Sequence, residues 1–420
     1  MNNLENTIWD CPEAFDPEAL AGKFHTPYYL YDAHVLKLRI RSVRTMLDGL
    51  VDVFYAVKAN PNLALLRAIK GVAGGLDISS GGELQQAMAA GFNPDRISFA
   101  GPAKTEDELR ASIDTGIGCI SVESPRELTL CANLAARLDR RANVLLRVNP
   151  LKLNRKFGMK MGGRPLQFGI DEETVHELLP WLEANTDRVN FRGIHVYSGS
   201  QCFEVEGVVD SVSSTLEIAR RIETASTLRC TTINLGGGLG VSHTEKDKVL
   251  PLAELGDALT PILRGFIAES DQPRDLVMEL GRYLTAPVGL YVVRVVSAKE
   301  SRAKTFFMVD GGLHHHLSAS GTFGATLRSN FVLRNLTNPD GPVVRCNIAG
   351  PSCNPTDLLA VEIDIPQPRV GDLIAVENAG SYGLTASPIL FLGRATPAEL
   401  IYDNGEVMLG RRARTILDFN

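Results

Sequence analysis

The sequence predicts an α/β protein: an eight-stranded (β/α)8 TIM-type barrel joined to a mainly antiparallel β-domain. Three observations carry this. Between about Val51 and Leu280, short apolar runs alternate with longer stretches of helical periodicity. After Leu280 the helical stretches give way to β-like segments broken by Pro and Gly. The length, 420 residues, exceeds what one ordinary core supports.

Eight runs read as barrel strands, in order VDVFYAV, GGLDIS, RISFAG, GCISVE, NVLLRVN, NFRGIHVY, TTINLG and DLVMEL. They are nearly continuously apolar, as strands covered on both faces by neighbours and helices must be. Amphipathic stretches such as SGGELQQAMAAG from Ser80 and TEDELRASIDTG from Thr105 lie between them. Eight βα units in this span approach the usual barrel size of about 250 residues. Beyond them, VGLYVVRVVSA, KTFFMVDGG, RCNIAG and DLIAVENAG read as β, and YYLYD at Tyr28 adds a strand to that second region. We expect residues 33–281 to form the barrel, and residues 1–32 with 282–420 to form the β-domain.

A net charge of −6 argues against nucleic acid or an anionic membrane as the main partner. The N-terminus, MNNLENTIWDCPEAFDPEAL, is acidic rather than a basic lead into an apolar run, and no run of membrane length follows. A cytoplasmic protein is expected. Seven scattered cysteines without metal spacing fit reduced thiols there.

The informative residues are polar ones at the ends of apolar strands. Lys58 ends the first, Asp77 lies in the second, Arg147 ends the fifth, His195 the sixth and Glu279 the eighth. Gly236, Gly237 and Gly238 follow the seventh. Strand C-termini are where such barrels build their sites. The glycine loop at Leu235–Gly240 suits a phosphate, cradled by backbone amides, and Arg282 suits the same anion. A buried Glu279 suits a protonated ring nitrogen, and the flat His195 suits either stacking on an aromatic ring or a buried structural role. Lys58, flanked by apolar FYAV, is expected to have a lowered pKa and an imine-forming amine.

The motifs FYAVKANPN, GLDISSGGEL, GIHVYSGSQC, INLGGGLG, MELGRYLTA, GPSCNPTDLL and NAGSYGL occur in that order. On them the chain resembles, from about Thr26 to Leu400, the fold-type III pyridoxal phosphate (PLP) decarboxylases that act on ornithine, arginine and diaminopimelate. KMGGRPLQFGIDE, VDGGLHHHLSASGTFG and YGLTASPILFLG make it look most like the branch that includes the butirosin-pathway glutamyl-acyl-carrier-protein decarboxylases and the exosortase-associated decarboxylases. The resemblance implies an alanine racemase-like barrel plus β-domain and an α-decarboxylase. Lys58 would be the Schiff-base lysine, His195 the residue stacked on the ring and Glu279 the partner of its nitrogen. Gly237, Gly238, Arg282 and Ser198 would hold the phosphate, with Asp77, Arg147 and Tyr382 completing the cofactor site. Cys353, from the neighbouring subunit of a homodimer, would protonate the substrate carbon.

Two departures bear on the substrate. Diamine-forming relatives place an acid after the cysteine to grip a distal ammonium; here Asn354 stands there. The arginine that diaminopimelate enzymes carry after the GG turn is missing from HHHLSASGTFG. Free ornithine, lysine and diaminopimelate are therefore disfavoured, and a carrier-tethered amino acid is a candidate. Consecutive His314, His315 and His316 cannot all face one metal ion, so no metal is expected; His316 is a candidate substrate contact. Arg328 reads as a carboxylate clamp or a surface arginine. Arg411, Arg412 and Arg414 read as a solvated face or a contact for an acidic carrier. The competing readings are an amino-acid racemase, opposed by Glu279 and Cys353, and a non-catalytic binding regulator, opposed by Lys58.

Overall fold

The computed structural model describes residues 15–152, 154–242, 248–320 and 330–420. Strand β1 (Tyr28–Asp32) precedes the eight barrel strands, which are β2 (Val51–Ala56), β3 (Gly75–Ile78), β4 (Ile97–Phe99), β5 (Cys119–Val122), β6 (Ala142–Asn149), β7 (Val189–His195), β8 (Thr232–Gly237) and β9 (Asp275–Leu280). Each pairs in parallel with the next, and β9 closes the ring on β2 through Leu276↔Val51 to Leu280↔Tyr55. All eight expected barrel strands are present.

Short loops turn β2 to β5 into the helices that follow them, and caps explain three of these turns. Ser80 ends the loop after β3 and accepts the Glu83 amide at 3.2 Å. Ser124 does the same after β5 for Glu127, also at 3.2 Å. Thr105 opens the helix Glu106–Thr115 with a reciprocal box: its hydroxyl accepts the Glu108 amide and the Glu108 carboxylate accepts the Thr105 amide. Such caps are worth about 1 kcal/mol each. They fix where each helix starts, and so hold the strand C-termini open on one face of the barrel.

The second sheet combines β1 with β10 (Gly289–Ser301), β11 (Lys304–Val309), β12 (Val343–Ala349), β13 (Leu358–Pro366), β14 (Leu373–Val376), β15 (Ala398–Asp403) and β16 (Glu406–Arg411). It is mainly antiparallel, with β1 parallel to β15 and β11 parallel to β12. The expected YYLYD strand is an interior strand of it: β1 lies between β10 and β15. No helix among the described residues is long and apolar enough to cross a membrane.

One apolar core runs from the barrel helices into this sheet, and a polar seam crosses it. Tyr55, Tyr29, Tyr31 and Tyr291 are at most 2% exposed, so each hydroxyl needs an internal partner. Tyr55 donates to the Asn60 carbonyl at 2.8 Å, and Asn60 donates through Nδ2 to the Gly380 carbonyl at 3.0 Å. Asn62 and Tyr31 both donate to the buried carboxylate of Glu399, each at 2.9 Å. The amide of Tyr382 donates to the Ala59 carbonyl at 2.8 Å. The turn Val57–Ala59, which carries Lys58, is thus held by residues that follow it by more than three hundred positions.

The histidine run belongs to this core. His316, expected at the substrate, is fully buried: Tyr29 Oη lies 2.8 Å from its Nδ1, and its ring stacks on Tyr291 at 5.6 Å. His315 contacts Tyr291 Oη and the Ala395 carbonyl, and burial pushes its pKa down to about 3. The sequence pattern of a loop concealed a set of imidazoles packed among tyrosines. Arg328 lies outside the described residues. The three C-terminal arginines have partners within the chain: Arg411 pairs with Glu399 and Arg412 with Asp418, and Arg414 sits over the Phe419 ring.

Candidate active site

At the C-terminal mouth of the barrel a cavity is lined by Lys58, Tyr197, Ser200, Gly238, Glu279, Gly281, Arg282 and Tyr382, among others. Lys58 projects into it from the turn after β2. Its Nζ lies 3.1 Å from Oδ2 of Asp77, which is fully buried on β3. Burial pulls the Lys58 ammonium down, but the charges of Asp77 and Glu279 and the phenols of Tyr382 and Tyr197 outweigh it, so its pKa is raised. This reverses the expected lowering. The flanking FYAV runs along the barrel, whereas the amine itself meets two carboxylates.

Those carboxylates are not equivalent. Burial and the Glu279 charge push the Asp77 carboxyl up, and its Oδ1 has no hydrogen-bond partner among the described residues. Burial would raise Glu279 too, but His195, Lys58 and Arg147 hold it well below the usual carboxylate range. His195 Nε2 lies 3.2 Å from Glu279 Oε1, and its Nδ1 lies 3.0 Å from the Ser121 hydroxyl. Asn234 donates to Glu279 Oε2 at 3.2 Å, and its own oxygen accepts the Gly236 amide at 2.9 Å. A chain of contacts from β5, β7 and β8 therefore fixes a charged carboxylate on β9.

The glycine loop after β8 is built for close approach. Gly236 and Gly238 have φ of +66° and +84°, where side chains are strained. A Cβ on Gly237 would lie 2.0 Å from the Glu279 carbonyl oxygen, and one on Gly238 would lie 2.0 Å from that of Gly199. Opposite, the Arg282 guanidinium sits 4.6 Å over the Tyr382 ring, and its Nε has no hydrogen-bond partner among the described residues. Tyr382 itself holds φ of +52°, which a non-glycine residue adopts only under local constraint.

Other expected residues are engaged differently. Arg147, whose charge acts on Glu279, makes its direct contacts with Glu123, at 2.6 Å, and the Phe168 ring, at 4.9 Å. Ser198 is bonded to Ser211 at 2.6 Å, while Ser200 lines the cavity. Cys353 is exposed on the loop between β12 and β13 and is not among the residues lining the cavity of its own chain. Asp357 anchors that loop by accepting the amides of Leu313 at 2.7 Å and Ser352 at 2.9 Å. The sequence reading passed over Ser121, Glu123, Asn234 and Tyr197. Ser121 and Asn234 carried the usable signal, a polar side chain in the middle of an apolar strand.

An amine aimed into a cavity, an ionised carboxylate across from it, and a glycine cradle beside an arginine with an open donor suit one cofactor. They fit the aldehyde, ring nitrogen and phosphate of PLP, and they define a PLP-dependent enzyme of the barrel-plus-β-domain class. Residues 34–286 match the pyridoxal-dependent decarboxylases in their pyridoxal binding domain, and the chain belongs to that family. It is 35% identical to the L-glutamyl-[BtrI acyl-carrier protein] decarboxylase of Niallia circulans, over 95% of this chain and 94% of the relative. It is 31% identical to the diaminopimelate decarboxylase of Pseudomonas aeruginosa, over 94% and 92% of the two chains. The crystal structure of the M. jannaschii diaminopimelate decarboxylase with L-lysine superposes with a TM-score of 0.88 at 26% identity, covering 96% of this chain and 93% of that one. The racemase alternative is not favoured.

Proposed function

We propose that this decarboxylase acts on an amino acid, glutamate in the first instance, held as a thioester on a carrier protein. We further propose that it works as a homodimer whose sites are each completed by Cys353 of the neighbouring protomer. The observation that carries the substrate reading is Asn354. Its side-chain oxygen accepts the Thr356 amide at 3.0 Å and the Thr356 hydroxyl at 2.9 Å. Where diamine-forming relatives keep an acid, this chain has a neutral group already engaged, so a distal ammonium finds no charge-assisted partner. The 35% identity to a decarboxylase of a glutamyl-carrier substrate points the same way.

When bound, PLP supplies the electron sink for the bonding pair left by departing CO2. Lys58 would hold the cofactor through its amine, and the buried Asp77 carboxyl, 3.1 Å away, positions that amine. Glu279 keeps a positive charge on the ring nitrogen favourable, and His195 and Asn234 hold it in place. Gly237, Gly238 and Arg282 bind the phosphate. As the C–C bond to the carboxylate breaks, a C–H bond must form at the same carbon, and the Cys353 thiol is a suitable acid.

CO2 release from glutamyl-loaded carrier protein is expected to exceed that from free ornithine, lysine or meso-diaminopimelate by at least about a hundredfold in kcat/KM. Efficient turnover of any of the free diamino acids overturns the substrate reading. For the dimer, Lys58→Ala and Cys353→Ala proteins are each expected to be poor alone. Mixed under subunit exchange, they should recover about a quarter of wild-type activity, because half the dimers are mixed and half their sites intact. Demonstrated exchange without recovery places both residues in the same chain's site.

A further inference from the structure

We propose that the segment following β6, residues 154–170 with Leu151 and Lys152, is the docking surface for an acidic carrier protein at the mouth of the active site. The inference rests on the carrier-substrate reading above and names the surface that reading requires.

The chain carries a net −6, yet from Leu151 to Ile170 the sequence holds Lys152, Arg155, Lys156, Lys160 and Arg164 and no acidic residue. Lys156 is neutralised by Glu206 at 2.6 Å and by Asp210 at 3.7 Å. Lys152, Arg155, Lys160 and Arg164 form no salt bridge among the described residues. Lys152, Arg155 and Arg164 are exposed, and so are Leu151 at 57% and Met159 at 38%. Unpaired cations around exposed apolar side chains are what an acidic protein surface recognises: the charges steer the encounter and the apolar groups supply contact area.

Position makes the patch functional. The segment leaves the barrel at the C-terminal end of β6 and returns beside it, with Val148↔Ile170 and Asn149↔Asp171 paired. Within it, Phe157–Lys160 pairs antiparallel with Gly199–Cys202, and Ser200 on that partner lines the cavity with Lys58. The Met161 amide donates to the Ser198 carbonyl at 3.0 Å, which ties the basic segment to the same rim. A carrier bound here has its prosthetic arm beside the entrance. The C-terminal arginine cluster, whose members have partners within the chain, offers no such surface.

The test is a triple charge reversal, Lys152→Glu, Arg155→Glu and Arg164→Glu, in the full-length holoenzyme. Two probes are compared, each joined through the γ-carboxyl so that the α-carboxylate is free to leave: L-glutamate loaded on an acyl carrier protein, and the L-glutamyl thioester of free pantetheine. The expected result is a loss of about tenfold or more in kcat/KM for the carrier substrate, carried by KM and weakening as salt is added to the wild type. The pantetheine thioester and the visible absorbance of the bound cofactor should be unchanged. An unchanged KM for the loaded carrier, or an equal loss with both probes, overturns the assignment. So does loss of the dimer in the variant, which makes the segment a subunit contact. If the wild type turns over both thioesters equally well, docking falls while the thioester reading stands. If it turns over neither, the substrate reading itself has failed and the docking surface with it.

Discussion

Lys58→Ala is expected to fold, lose the visible absorbance of lysine-bound cofactor, and retain less than about a thousandth of wild-type turnover, a barrier increase of roughly 4 kcal/mol. Lys58 provides the only lysine amine among the described residues that line the cavity. Folding should survive because the partner left behind, Asp77, need not stay charged: burial and Glu279 already push its carboxyl up, so it takes a proton instead of remaining a buried unpaired anion. Borohydride reduction of the wild type followed by peptide mass spectrometry should place the cofactor on the peptide containing Lys58. Attachment at any other lysine removes Lys58 from its role.

Glu279→Gln separates holding the cofactor from activating it. Gln is isosteric and can still contact His195 or Asn234, and the proposed phosphate cradle of Gly237, Gly238 and Arg282 is untouched, so the cofactor should stay bound. What disappears is a full negative charge, kept ionised by His195, Lys58 and Arg147, which on the proposed assignment faces the ring nitrogen where positive charge matters most in the transition state. Removing a preorganised charge of this kind costs about 3 kcal/mol, so kcat should fall by at least about a hundredfold. Cofactor content and steady-state turnover measured on one preparation decide it. Wild-type turnover with Gln would mean that Glu279 does not face the nitrogen.

The barrel was legible because its strands are buried on both faces and therefore nearly continuously apolar, so a Lys or Glu at a strand end stands out. Lys58, Asp77, Glu279 and the glycine loop came forward that way. Ser121 and Asn234 did not, since one small polar residue inside CISV or TINL resembles ordinary variation until the carboxylate it serves is located in space. Glu123 ends its strand as plainly as Glu279 does, but its partner Arg147 is 24 positions away and only barrel closure joins them. The pKa of Lys58 was misjudged for a related reason, because local sequence shows the apolar flank and hides carboxylates brought in by neighbouring strands. The histidine run was unreadable locally, since the tyrosines that bury it come from β1 and β10.

The tyrosine and asparagine seam has a consequence for the order in which the protein is made. The turn carrying Lys58 takes its outer hydrogen bonds from Gly380, Tyr382 and Glu399. A ribosome that has released residues up to 286 has delivered every barrel strand and the reactive amine, but none of these partners. The lysine turn is therefore expected to gain these hydrogen bonds only when the last strands of the second sheet emerge, so a chain truncated after residue 286 should not develop the visible absorbance of lysine-bound cofactor.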